Sequence, residues 1–288
     1  MAHTYFVKVA FFLLLFVTFN QGRCLSSDPS DEQISLKSTV PSSPAGEGKV
    51  SIGIGKFEDE FLKYNIGFWF FKKMGEVTLQ CKRETNTLAI TIDGCTTGLV
   101  DKIVHRHNVY KTTMVFDEET KRLKPVSSYE KKIKGDEERV KITHYDYGKN
   151  IRKFTILRNG VFRREQEVNL DTASNDDGIS AFYNLRNESY GRVKDGANFT
   201  IKTAHKERIS ESKISVRSIA DSDDLSRWKD RTRDVELMAE ITLDPEVIES
   251  KQGKLDILLT GDFLPIGFIV RDVIGFGDLY GVLEQKKI

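Results

Sequence analysis

Asp176-Asp177-Gly178-Ile179-Ser180-Ala181-Phe182-Tyr183-Asn184-Leu185-Arg186 is the most helix-like run in a chain that otherwise reads as strand after strand. Asp176 or Asp177 supplies an N-cap, because a carboxylate there accepts from free backbone N–H groups and suits the helix dipole. Ile179, Phe182, Tyr183 and Arg186 follow at i, i+3, i+4 and i+7, so three large side chains share one face. About six strand candidates precede this run and about six follow it. A lone amphipathic helix between two blocks of strands lies most simply across a sheet and covers its apolar side.

Outward from the helix the period is two. Leu62, Tyr64, Ile66, Phe68 and Phe70 alternate with Lys63, Asn65, Gly67 and Trp69, and the same alternation runs through Val77–Cys81 and Leu88–Ile92. Such segments are half-buried strands. Thr96–Ile103 reads as a helical turn, and His105–Phe116 as a strand with Tyr110, Met114 and Phe116 on its apolar side. Pro125 precedes a charged pair, Val126–Lys134 and Glu138–Tyr147, joined at Gly135-Asp136. Asn150–Arg158 and Val161–Val168 flank Asn159-Gly160, the strongest short hairpin signal because both residues accept positive φ. Arg152, Lys153, Arg158, Arg163 and Arg164 are expected on an outward face, since charges stay solvated.

After the helix come Phe199–Ala204 and Ile209–Ile219, a polar insert at Asp221–Asp234, and the alternating run Val235–Leu243. Lys254–Asp262, Ile266–Ile274 and Leu279–Glu284 close the chain as a meander. The fold class that follows is mainly β. It is a strongly curved antiparallel sheet or partial barrel of about a dozen strands with one or two short helices.

The 288 residues comprise 39% hydrophobic and 30% charged residues, enough for a sizeable core under a well-solvated surface. With a net charge of +1, no whole-protein field favours nucleic acid. Three regions are expected: a signal peptide at 1–24, a flexible polar leader at 25–58, and a single β-rich domain at 59–288. Val9–Val17 is too short to span a ~30 Å hydrocarbon layer and fits a cleaved export signal with Gly22 and Cys24 near the cut. Arg23 and Gln21 disfavour lipid attachment at Cys24, and no second segment resembles a transmembrane span. The chain is therefore expected to be exported.

Leu62-Lys63-Tyr64-Asn65-Ile66, Gly75-Glu76-Val77-Thr78-Leu79 and the motif residues Asp177, Ser180, Ala181, Tyr183, Leu185 and Arg186 form a set with Leu264-Pro265-Ile266 and Tyr280-Gly281-Val282-Leu283. Over roughly residues 59 to 285 this set resembles the bacterial domain-of-unknown-function family 3108. The chain departs from the family pattern at Gly178-Ile179, where the motif has Pro-Leu. The resemblance implies an envelope location and a β-rich fold related to lipoprotein-carrier half-barrels. It implies no reaction.

Candidate chemistry is sparse. His105 and His107 sit on one strand face at a spacing that metal sites use, with His144 as the nearest source of a third ligand. Cys81 and Cys95 form a candidate disulfide in an oxidising compartment. A hairpin turning near Thr85-Asn86 sets Cys81 opposite Ile90, so direct cross-strand bonding needs the loop to fold back. Trp69, Asp177, Tyr183 and Arg186 are the candidate ligand-binding residues. The last three also read as a cap, a core-anchoring ring and an ion pair. No Ser/His/Asp elbow, Cys–His pair or cofactor motif is present.

The expected function is non-enzymatic: binding or carriage of an apolar or lipid-like ligand, or an assembly role with an envelope protein. The alternatives are a metal-dependent or hydrolytic envelope enzyme and an outer-membrane β-barrel. Against the barrel, several strands carry charges on both faces.

Overall fold

Sheet neighbours are also chain neighbours, with a single exception where the first strand meets the last. The computed structural model describes residues 55–68, 71–103, 105–170, 176–205, 208–219, 234–245, 248, 250–273 and 277–288. Strands β1 (Phe61–Phe68), β2 (Phe71–Glu84), β3 (Thr87–Thr96), β4 (Arg106–Asp117), β5 (Arg122–Lys134), β6 (Glu137–Asp146), β7 (Ile151–Arg158) and β8 (Val161–Asn169) form one meander. Strands β9 (Asn198–His205), β10 (Arg208–Ser218), β11 (Leu237–Thr242), β12 (Lys254–Leu259), β13 (Pro265–Val273) and β14 (Gly277–Lys287) form a second. Helix α1 (Gly98–Ile103) links β3 to β4, and α2 (Gly178–Arg186) links the two meanders.

The sheet has 14 strands in the order β8 to β1 and then β14 to β9, paired antiparallel throughout. Antiparallel β1–β14 pairing joins the meanders, and β8 and β9 are the two outer strands. The sheet is curved and does not close. The expected fold class is the one observed, with more strands than the sequence pattern distinguished.

Local chemistry explains the pairing. Asn159 and Gly160 take φ of 51° and 71°, the left-handed pair that matches the twist of a two-residue hairpin between β7 and β8. Pro125 lies inside β5 rather than ahead of it, at the register shift opposite Thr113 and Met114. A bulge is where a strand tolerates a residue without an N–H. On the concave side Leu62, Tyr64, Ile66, Leu79, Leu88, Ile90, Met114, Ile257 and Phe268 form a continuous buried core. Tyr64 donates its hydroxyl to the Pro265 carbonyl at 2.7 Å, so this ring is buried without an orphaned polar tip.

Helix α2 does not rest on the sheet with one side to solvent. Ile179, Ser180, Ala181, Tyr183, Asn184, Leu185 and Arg186 are all buried, all round the helix. The curl of the sheet accounts for the difference from a helix lying across a flat surface: α2 is enclosed, so residues on its polar stripe need partners within the protein. No helix among the described residues is long and apolar enough to cross a membrane. Trp69, the expected signal segment, most of the leader and nearly all of the polar insert lie outside the described residues.

Candidate ligand-binding cleft beside the central helix

The helix is anchored at three levels. At its start Asp177 is the N-cap: Oδ1 accepts from the Ser180 N–H at 2.8 Å and Oδ2 from the Thr112 hydroxyl of β4 at 2.7 Å. Asp176 accepts from the Tyr190 hydroxyl at 2.5 Å, from Asn184 at 3.2 Å and from the Arg122 guanidinium. Burial pushes both carboxyls above the ordinary carboxylate range, against the pull of these donors.

In the middle, Asn184 accepts from the Leu123 N–H at 2.7 Å and donates to the Leu123 carbonyl at 2.9 Å. Strand β6 pairs with β5 only from Ser127 onward, so the Asn184 amide takes the place of a strand partner for Leu123. At its end, Arg186 makes a two-point ion pair with Glu60 at 2.8 and 2.6 Å and donates to the Phe263 carbonyl at 3.0 Å. The Tyr183 hydroxyl donates to the same Glu60 at 2.9 Å. Phe57 packs edge-on to Tyr183 with centroids 4.9 Å apart, and the Arg186 guanidinium lies 4.8 Å from the Phe57 ring. The segment before β1 thereby belongs to the core, although its sequence reads as the end of a leader.

Asp177, Tyr183 and Arg186 are thus held by protein groups. What the arrangement leaves open is the other side of the helix. Ala181, Phe182 and Leu185 face Ile201, Ile214, Ile241, Leu243, Leu255 and Ile257 of strands β9 to β12 and the turn after β11 across a cleft of about 70 Å³. Its polar lining is limited to Thr203, Ser210 and Ser212 hydroxyls and backbone. A hollow with these walls favours an apolar occupant. Sequence reasoning did not find it, because its walls come from segments far apart in the chain. The alternation of Ile201, Ile214, Ile241, Leu255 and Ile257 was visible only as ordinary core.

The histidines do not converge. His107 Nε2 lies 2.8 Å from Asp93 and His105 Nδ1 3.3 Å from Asp101. His144 of β6 lies level with Thr113 of β4, six residues along from His107. That is roughly 20 Å at the rise of a strand. Among the described residues no group of three or more His, Cys, Asp or Glu side chains is placed to hold a metal.

The disulfide Cys81–Cys95 is not formed, and this corrects the expectation from the sequence. Cys81 is a free, buried thiol. It faces Ile90, as the hairpin register requires, whereas Cys95 faces Glu76, five residues along β2. The separation of roughly 16 Å along the strand is more than twice what a disulfide bridges. Burial pushes the Cys81 thiol well above its ordinary range, which leaves it inert.

The model of the protein family of unknown function DUF3108 matches residues 63–256. The chain belongs to this family. The matched span runs from β1 into β12, so the DUF3108 region contains α2, its anchors Asp176, Asp177 and Arg122, and most of the cleft wall. No curated protein matches the chain. A crystal structure of a β-barrel-like protein of the domain of unknown function DUF1849 from Brucella abortus is similar, at 12% identity and a TM-score of 0.47. The similarity covers 81% of this chain and 98% of that one.

Proposed function

We propose that this DUF3108 protein is exported to the cell envelope and binds an apolar or lipid-like ligand there without transforming it. The observation that carries the reading is the cleft between α2 and strands β9 to β12. A buried helix meets a curved sheet there, yet the aliphatic side chains on both sides leave space instead of interdigitating. Protein interiors are normally filled to crystal-like density, so an apolar hollow open at one end is a stabilising opportunity for a hydrocarbon ligand. The short apolar run at Val9–Val17 supports export.

The test is expression of the full chain in a Gram-negative host, fractionation, and native mass spectrometry of the purified protein before and after organic extraction. Recovery from the periplasm with extra mass that leaves with the solvent is the expected result. Ala181→Phe, which projects a ring into the cleft, should reduce that mass while the fold is retained. Cytoplasmic recovery would overturn the location. A clean mass from protein that also binds no added alkyl chain would overturn the ligand reading.

A further inference from the structure

The concave wall changes character across α2. On the β9 to β12 side it is aliphatic. On the β4 to β7 side the inward rows are polar: Tyr110 faces Glu130, which faces Lys141, and Thr112 faces Ser128, which faces Thr143, with Tyr145 facing Arg152. These rows line a second, smaller hollow of about 20 Å³. Ala204 lines both hollows. Asp177 and Ile179 border the polar one, Gly178 and Ala181 the apolar one. The two hollows adjoin at the first turn of α2 and at Ala204.

Charge in the polar hollow is unbalanced. Glu130 is paired with Lys132, and Asp177 is engaged by Thr112 and Ser180. Arg152 is 3% exposed and shares a hydrogen bond with Tyr145. Lys141 makes no hydrogen bond or ion pair among the described residues, and its ammonium lies 5.0 Å from the Phe154 ring centroid. Lys141 and Arg152 line the hollow with Glu130 and Asp177, and Lys132 and Arg139 on the same face tip the charge around Lys141 to positive. A largely buried ammonium whose cross-strand carboxylate, Glu130, is bonded to another lysine is costly, and an anion bonded by Lys141, Arg152 and the hydroxyls of Ser128 and Thr143 would lower the cost.

We propose that the ligand is an anionic amphiphile, its chain in the apolar cleft and its carboxylate or phosphate head against Lys141 and Arg152. The inference rests on the apolar-ligand reading and deepens it. Burial and the neighbouring cations push the Lys141 ammonium down to about 8, against the pull of Glu130.

The experiment is calorimetric titration of the extracted protein with dodecanoate, dodecyl phosphate, dodecanol and inorganic phosphate, repeated on Lys141→Met. The charged chains should bind about tenfold or more tightly than the alcohol, the usual advantage of a charge-assisted hydrogen bond. Lys141→Met should abolish that advantage and leave the alcohol unchanged. Equal binding of acid and alcohol to the wild type would overturn the head-group site while the apolar cleft stands. No binding by any chain would overturn both. Inorganic phosphate matching dodecyl phosphate would overturn the amphiphile in favour of a free-anion site. If Lys141→Met does not fold, the wild-type comparison of acid with alcohol decides alone.

Discussion

Arg186, the last residue of α2, and Glu60, the residue before β1, form a two-point ion pair across 126 positions of the chain. The pair is sealed from solvent, with side chains only 5% and 3% exposed. Removing one partner strands the other charge in the core. Arg186→Ala should therefore cost about 3–5 kcal/mol. The double variant Glu60→Leu/Arg186→Met should lose less than the sum of its single changes, because neither charge is left alone. Urea unfolding of the wild type, Arg186→Ala, Glu60→Leu, Arg186→Met and the double variant measures both effects.

Lys141 should make the empty protein more stable in alkali than at neutral pH. Its ammonium is pushed down to about 8 in the folded chain, from 10.5 when exposed. The unfolded chain therefore binds more protons between those values, and stability rises as pH climbs through them. Lys141→Met should flatten that rise and add about 1–2 kcal/mol at neutral pH, since solvent at the partly exposed head screens some of the penalty. Denaturant midpoints across the alkaline range give the slope.

Asp177 works in the opposite direction on the acid side. Burial raises its carboxyl above the ordinary 3.8. The folded chain holds the proton longer than the unfolded one, so this group's contribution falls as pH rises from its unfolded value through its folded value. Asparagine caps helices as well as aspartate does. Asp177→Asn should keep α2 and weaken the pH dependence on the acid side, as pH climbs from the ordinary 3.8, with Asp176 and Asp256, which are raised too, supplying the remainder. A steeper dependence in the variant would contradict the assignment.

Gly281 permits the Phe268 ring to lie flat against β14. A Cβ at this position would stand 2.0 Å from the ring. Gly281→Ala should cost about 1–3 kcal/mol as an overpacked core, and Phe268→Leu in the same chain should restore part of it. Thermal unfolding of the single and double variants tests the contact.

The fold was legible in the sequence because its information is local. Period-two runs, Asn159-Gly160 and the Asp177 cap each act within a few residues, and the structure places them where the pattern does. The site was not, because it arises from contacts between the meanders. Parity already held part of it: Arg152 shares its face with Phe154 and Ile156 and points inward with them, contrary to the expectation that this arginine faces solvent. Treating the arginines and lysines of β7 and β8 as one basic strip averaged the two faces together. The Glu60 partner of Arg186 carried no signal of its own, lying at the end of a polar leader.

The seam between β1 and β14 sets synthesis order against sheet order. Phe61 opens the first strand to leave the ribosome, and its neighbour in the sheet, Lys287, lies in the last. The hairpins from β2 to β8 can form as the chain emerges, but one flank of β1 stays an unoccupied template until β14 arrives. A chain in this state has not yet locked. It carries a hydrophobic strand edge open to strands of other nascent chains, so the arrival of β14 both completes the sheet and closes off that route to aggregation.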